Sequence, residues 1–304
     1  MMGIHHWFLD KIRKKPPVRK PEWQVREPED RTDPVEHEAF AEEGLDNGGL
    51  LMGASIRGKN HAHNGRWRED AFHFDQIGCF TMMAVADGVG SCSLARVGAK
   101  IACQTSVDCM KDHLANVADA SQLEESVLGE CLRIAMLNAI DAIEEEAMLR
   151  QTNPGRLSTT LILLLHGLSG SKHLIASLQV GDGVMAAADS SGNVMVLGDA
   201  DMGEYAGQSV FLTSEGIREN LSQRIIFSVE EDLRHIVLMT DGIADDYFPL
   251  EKKLRLFFED MEHSVLNRKR PIKSLENWIR YDKTGSYDDR TLLLLSFCND
   301  RDSR

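Results

Sequence analysis

The sequence predicts a layered α+β sandwich. Runs of strand length arrive in blocks, two long helical patterns stand back to back between two of those blocks, and a second helical pair precedes the last run. The strict strand–helix alternation of a doubly wound parallel sheet is missing.

Taken in order, residues 50–57, 71–77 and 80–86 read as strands, the last ending in a continuous apolar run. Residues 95–117 and 123–149 place apolar side chains at helical spacing with few breakers, which predicts two long helices. Strands follow at 159–166, 173–180, 184–188 and 194–197, with Ser190-Ser191-Gly192-Asn193 turning the chain between the last two. Residues 209–213, 225–229 and 236–239 continue the sheet, 250–266 and 272–281 read as helices, and 291–297 closes the core as a strand. No internal repeat is evident. Residues 1–46 differ. Residues 4–12 could form a short amphipathic turn, residues 11–20 carry six basic side chains around Pro16-Pro17, and residues 27–43 are strongly acidic. Such composition rarely packs a core, so a mobile tail over 1–46 and a globular domain over 47–304 are expected. Docking by the prolines or the basic run is the other reading of the tail.

At 304 residues and 42% hydrophobic content the chain can bury the core of one large domain. A net charge of −14 argues against a nucleic-acid surface, which wants a basic stripe. The six cysteines contain no Cys-x-x-Cys pair and stand mostly in apolar surroundings, as reduced core thiols do. No apolar run approaches the roughly 18 residues of a membrane span, and the start lacks a secretory apolar region. The expected setting is cytoplasmic, with neither membrane nor nucleic acid as partner.

The chemistry concentrates where apolar runs end in acids. Met82 to Ala86 leads into Asp87-Gly88-Val89-Gly90, which holds a carboxylate at a strand tip beside a tight turn. Ile236 to Met239 leads into Thr240-Asp241-Gly242, Asp288-Asp289 opens the run 292–295, and Glu69-Asp70 stands before 71–77. Gathered in one cleft, such acids repel: at 4 Å a pair costs about 1 kcal/mol in water and about 4 at an effective dielectric of 20. Divalent cations relieve that cost, and oxygen-only ligands favour magnesium or manganese over zinc.

The set Arg66-Trp67-Arg68-Glu69-Asp70-Ala71, Asp87-Gly88-Val89-Gly90, Ser158-Thr159-Thr160, Gly181-Asp182-Gly183, Thr240-Asp241-Gly242 and Asp288-Asp289-Arg290-Thr291 resembles the metal-dependent protein phosphatases of type 2C in order and approximate spacing. It covers residues 50–297. The resemblance implies two packed, mainly antiparallel sheets with a helix pair on each outer face, a four-layer α-β-β-α sandwich with the metal cleft at one edge. It implies two Mn²⁺ or Mg²⁺ ions, Asp87 bridging them, the Gly88 carbonyl completing one shell and Asp241 on the first ion. Asp288 is the expected ligand of the last motif, with Asp289 in the place of the family's asparagine; a slip of one residue would exchange them. Glu69 and Asp70 match the acidic pair that orients metal-bound water in the family. The implied activity is hydrolysis of phosphoserine and phosphothreonine in proteins: hydroxide bridging the metals attacks phosphorus in line, with no phospho-enzyme. A cognate protein kinase is the implied further partner.

Departures from the pattern open alternatives. The family's phosphate arginine lies four residues before the Glu, where this chain has Gly65, so Arg66 or Arg68 must serve. Asn153-Pro154-Gly155 replaces the neighbourhood of a third-metal aspartate, and no tight third ion is expected. Gly181-Asp182-Gly183, Gly90-Ser91 and Gly203-Glu204-Tyr205 suggest an atypical bacterial branch, with Asp182 structural. His61 could protonate the leaving alkoxide, against the plainer reading of a loop histidine shared with His63. Ser158, Thr159 and Thr160 lack a visible base and are not expected nucleophiles. A pseudophosphatase that binds phosphoproteins or a kinase without turnover is the second reading, and another acid-cluster hydrolase such as a nucleotidase the third.

Overall fold

The computed structural model describes residues 23–45, 48–201 and 210–297. Its strands are β1 (Glu38–Gly44), β2 (Leu50–Ile56), β3 (Ala71–Ile77), β4 (Phe80–Ala86), β5 (Leu161–Ser169), β6 (Lys172–Val180), β7 (Val184–Asp189), β8 (Val194–Val196), β9 (Ile225–Glu230), β10 (Leu233–Met239) and β11 (Arg290–Ser296). Its helices are α1 (Lys59–Asn64), α2 (Ala95–Leu114), α3 (Glu125–Leu149), α4 (Ile217–Asn220), α5 (Asp241–Ala244), α6 (Leu250–Met261) and α7 (Pro271–Trp278). One sheet has the order β1-β2-β11-β10-β7-β8 and the other β3-β4-β5-β6-β9, and every pairing in both is antiparallel.

The period-2 alternation of strand side chains builds the four layers. In β11, Leu293 and Leu295 face the other sheet and meet Met83, Val85 and Leu164, whereas Leu292 and Leu294 face Phe257 and Met261 of α6. In β4, Met82 and Ala84 instead face Met110 of α2 and Met136 of α3. Three stacked cores result, and each fully buried leucine contributes about 2 kcal/mol of transfer free energy. The expected α+β sandwich of two antiparallel sheets flanked by helices is the fold observed.

Two local expectations change. Residues 38–44, read as part of a tail, form β1 and pair residue for residue with β2. Alternation puts Ala39, Ala41 and Glu43 on one half-buried face and Glu38, Phe40 and Glu42 on the other, where Phe40 alone is half-buried, so pairing with β2 holds the strand and its acidic composition hid it. Residues 23–37 also pack: Arg150 grips Asp33 through two nitrogens at 2.6 and 2.8 Å, and Arg96 donates to the Thr32 and Asp33 carbonyls. Residues 1–22 lie outside the described residues. The strand expected at 209–213 is a turn over 211–216, and Leu212 N–H is held by the Thr159 carbonyl at 3.0 Å; Ser209 and Gly203-Glu204-Tyr205 lie outside the described residues. No helix among the described residues is long and apolar enough to cross a membrane.

Gly98 allows α2 to press against the 3-10 turn Pro154–Leu157 that leads into Ser158; a Cβ there would fall inside the Leu157 carbonyl oxygen. In an open helix Gly→Ala stabilises by about 1 kcal/mol. Here Gly98→Ala is expected to lower stability by about 1–3 kcal/mol in urea unfolding, as overpacking does. A stability gain would show that the helix and the turn are not in contact.

Candidate functional site

In an antiparallel pair the start of one strand lies beside the end of its partner. Ala71 pairs with Ala86 and Met239 with Leu292, so Glu69-Asp70 and Asp87 meet at the end of one sheet, and Asp241 and Asp288-Asp289 meet at the same end of the other. Hydrogen bonds join the two sets. Asp70 Oδ2 accepts from the Thr240 hydroxyl at 2.9 Å, and the Thr240 and Thr291 backbones pair at 3.0 Å. Asp289, buried, takes the Gly58 N–H on one oxygen and the Glu69 N–H on the other, each at 2.6 Å. Gly58 makes that approach possible, since a Cβ there would collide with the Asp288–Asp289 backbone.

The turn that presents Asp87 is clamped by the Ser158-Thr159-Thr160 run. Asp87 N–H donates to Thr160 Oγ1 at 2.9 Å, the Asp87 carbonyl accepts from Thr160 N–H at 2.9 Å and from Thr159 Oγ1 at 2.8 Å, and Gly88 bridges to Thr159. These hydroxyls are spent on backbone geometry. The sequence excluded them as nucleophiles without a sign of this task; Thr240 and Thr291 stood in the motifs with no role of their own, and Gly58 carried no mark beyond a glycine at a strand end.

The acids are destabilised as anions. Burial first, then Asp70 and Asp241, lift Asp87 well above the usual carboxylate range. Asp70 is raised in the same way by burial and by Asp289, against the Thr291 and Thr240 hydroxyls. Burial raises Asp241 to about 6, with its hydrogen bond to Asp87 opposing the shift. Glu69 is pushed up to about 7 by burial, opposed by Arg66 and His61. Asp241 Oδ1 and Glu69 Oε2 are buried without a hydrogen-bond partner, a costly state in the absence of a counter-charge. An all-oxygen donor set with orphaned buried oxygens fits hard divalent cations.

Asp288 is exposed and its Oδ1 accepts only the adjacent Asp289 N–H at 2.8 Å, which leaves it open to the cleft. Asp289 is committed to the two loops. His61 Nδ1 stands 2.9 Å from Asp289 Oδ1, and ligand atoms of His61, Asp288 and Asp289 fall within 4.8 Å of one another. Burial alone would lower the His61 pKa, but the Asp289, Glu69 and Asp288 charges raise it overall. Its Nε2 points toward Gly90. Arg66 reaches the rim, donating to Glu69 Oε1 at 2.7 Å and to the Gly90 carbonyl. Arg68 is buried and turns away, donating to Ser55 Oγ at 2.6 Å and to the Asp70 and Glu36 carbonyls. Asn153 caps the 3-10 turn by accepting Gly155 N–H at 2.7 Å. A cavity of about 400 Å³ opens beside Asp241 and Asp288.

Two predictions follow from this geometry. Protonation of Asp241 and Glu69 is favoured in the folded chain, so their contribution is full at low pH and lost as pH rises through about 6 and about 7. The metal-free protein is expected to lose Tm between pH 5 and 8, and millimolar Mn²⁺ to restore it; a rise in Tm over that interval would contradict the assigned burial. Asp289→Ala strands two buried N–H groups and is expected to cost about 2–5 kcal/mol in urea unfolding, whereas Asp288→Ala changes stability by less than about 1 kcal/mol. Equal losses would mean that the two acids share one role.

Comparison with known proteins agrees with this frame. No curated protein sequence matches. Among solved structures, a phosphatase from Toxoplasma gondii aligns with TM-score 0.56 at 11% identity over 86% of this chain and 95% of its own. PppA of Pseudomonas aeruginosa, titled a key regulatory component of T6SS, aligns with TM-score 0.52 at 18% identity over 86% and 98%. The catalytic domain of the serine/threonine protein phosphatase PstP, solved with two manganese ions, aligns with TM-score 0.51 at 15% identity over 86% and 99%. These likenesses concern the fold. The sequence profile described as Protein phosphatase 2C matches residues 57–280, about three-quarters of the chain, and with the carboxylates of both sheets gathered at one edge, the chain belongs to the protein phosphatase 2C family.

Proposed function

We propose that this chain is a metal-dependent serine/threonine phosphoprotein phosphatase. The observation that carries the reading is the set of buried carboxylates with orphaned oxygens, converging from four strand ends on one cleft. Family membership and the manganese reported for PstP support Mn²⁺ or Mg²⁺ as the cofactor. Asp87, the Gly88 carbonyl, Asp241 and Asp288 would hold two ions, with Glu69 and Asp70 ordering the water around them. When bound, the ions would supply positive charge for the phosphoryl oxygens and acidify water from pKa 15.7 toward about 7.

The chain's own groups do the rest. Arg66, at the rim, binds phosphate oxygens once it leaves the Gly90 carbonyl, and its fork suits that geometry. Arg68 holds β2 and the Asp70 backbone in place and does not reach substrate. The Asp289 carboxylate, 2.9 Å from His61 Nδ1, favours the charged ring as an ion pair, and Nε2 lies toward Gly90 to give a proton to the departing alkoxide. No side-chain nucleophile is required, consistent with Ser158, Thr159 and Thr160 being bonded to backbone and to Thr213. The substrate class is phosphoserine and phosphothreonine in proteins. One observation favours the second reading, a binding module without turnover: Arg66 is already satisfied by Glu69 and the Gly90 carbonyl.

Asp87→Asn and Asp241→Asn are each expected to abolish Mn²⁺-dependent hydrolysis of p-nitrophenyl phosphate with unchanged circular dichroism. Arg66→Ala is expected to raise KM about tenfold, as loss of one charged phosphate contact does, and to leave metal affinity intact. Unchanged turnover in both aspartate variants rejects the site, and manganese uptake by a wild-type chain that hydrolyses no phosphopeptide selects the binding module.

A further inference from the structure

Arg290 stands in the last motif between Asp289 and Thr291, and the catalytic reading gives it no task. As the first residue of β11 it shares the face of Leu292 and Leu294, which looks onto the α6 layer. It is buried, and a guanidinium taken out of water is costly until its donors are satisfied. All of its hydrogen bonds go to one stretch, the loop that follows α7. Nη1 donates to the Ile279 carbonyl at 3.2 Å and to the Tyr281 carbonyl at 2.7 Å. Nη2 donates to the Ser286 carbonyl at 3.4 Å and to Ser286 Oγ at 2.8 Å. The Tyr281 ring lies against the guanidinium, its centroid 3.8 Å from Cζ, a cation–π contact. The start and the end of the loop are thus gathered around one planar fork, and none of these bonds goes to a carboxylate.

The loop reaches the cleft at several points. The Tyr287 carbonyl accepts Asn60 N–H at 2.9 Å in α1, the helix that carries His61. The Tyr281 hydroxyl donates to Asp246 Oδ2 at 2.5 Å, in the 3-10 turn that continues α5 from Asp241. The chain then delivers Asp288. That side chain is exposed, and the bond it makes, to the adjacent Asp289 N–H at 2.8 Å, ties it to no other element. Its place is set by the backbone that carries it.

We propose that Arg290 is a positioning residue: its guanidinium is the template around which residues 279–288 fold, and that loop places Asp288 at the cleft. The template rests on the hydrogen bonds and the ring contact. Its consequence for a bound ion rests on the reading of Asp288 as a ligand. Lysine would keep the charge but lacks the planar fork that holds Tyr281 and Ser286 together.

The test compares full-length wild type, Arg290→Lys, Ser286→Ala, Asp288→Ala and the double variant Arg290→Lys/Asp288→Ala. Hydrogen exchange of the metal-free proteins is read first. Arg290→Lys is expected to speed amide exchange across 279–288 severalfold and to leave α2 and α3 unchanged. Calorimetric titration with Mn²⁺ is then expected to show one ion bound about tenfold more weakly in Arg290→Lys, as loss of a ligand's outer partner does, with the other ion unchanged. Asp288→Ala is expected to weaken that same ion, and the double variant to lose nothing more, because the effect passes through Asp288. A general loss of stability would instead weaken both ions and add to Asp288→Ala. Ser286→Ala removes one partner and leaves Arg290 in place; it is expected to weaken the same ion by a smaller factor. Should Arg290→Lys fail to fold, an unshifted Ser286→Ala overturns the proposal. Unchanged exchange over 279–288, equal loss at both ions or additive loss in the double variant would overturn it too. A wild type that takes up no manganese fails the phosphatase reading, and the exchange arm still decides whether Arg290 shapes the loop.

Discussion

Crowding of carboxylates that are denied water governs this structure. Asp70, Asp87 and Asp241 are buried enough to resist ionisation and close enough to raise one another, and Glu69 joins them from the same loop. Two antiparallel sheets force this meeting, because pairing β3 with β4 and β10 with β11 brings four strand ends to one edge. Protons can quiet the repulsion at low pH and divalent cations at neutral pH. The threonines that clamp the Asp87 turn and the Asp289 carboxylate that binds two loop N–H groups keep the acids from swinging apart into solvent. Structural polar residues thereby hold the functional ones in an arrangement they would not choose alone.

Asp288 and Asp289 show how neighbouring acids divide such work. Asp289 opens β11 with both oxygens facing the loops before α1 and β3, and it is consumed by Gly58, Glu69 and His61. Asp288, one residue earlier, makes neither of these ties and lines the cavity. A change of side-chain direction between neighbours, the ordinary rule of extended chain, separates a structural tie from an acid left open to the cavity. Arg66 and Arg68 repeat the pattern at the other loop: one reaches the rim, the other is buried under Glu36 and Ser55.

Much of this was legible in the sequence. The long apolar runs and the helical spacing of residues 95–149 specify their elements because periodicity and burial agree there. The acids at strand ends stood out because charge following a core strand is costly without a purpose. Less legible was whatever depends on partners distant in the chain. Strand β1 carries three glutamates in seven residues and is held by pairing with β2, so its composition resembled a tail. The turn near Leu212 contains strand-forming residues yet is pinned by the Thr159 carbonyl. Spacing could not tell the surroundings of Arg66 from those of Arg68, since the carbonyls and hydroxyl that engage Arg68 come together only in three dimensions.

Diffraction from a crystal soaked in millimolar manganese, with anomalous scattering used to locate the ions, tests the central claim most directly. The account predicts two manganese peaks flanking Asp87, one also held by Asp241 and Asp288, with Asp289 still bound to the Gly58 and Glu69 amides. An empty cleft at that concentration, or ions bound only elsewhere on the acidic surface, would contradict it.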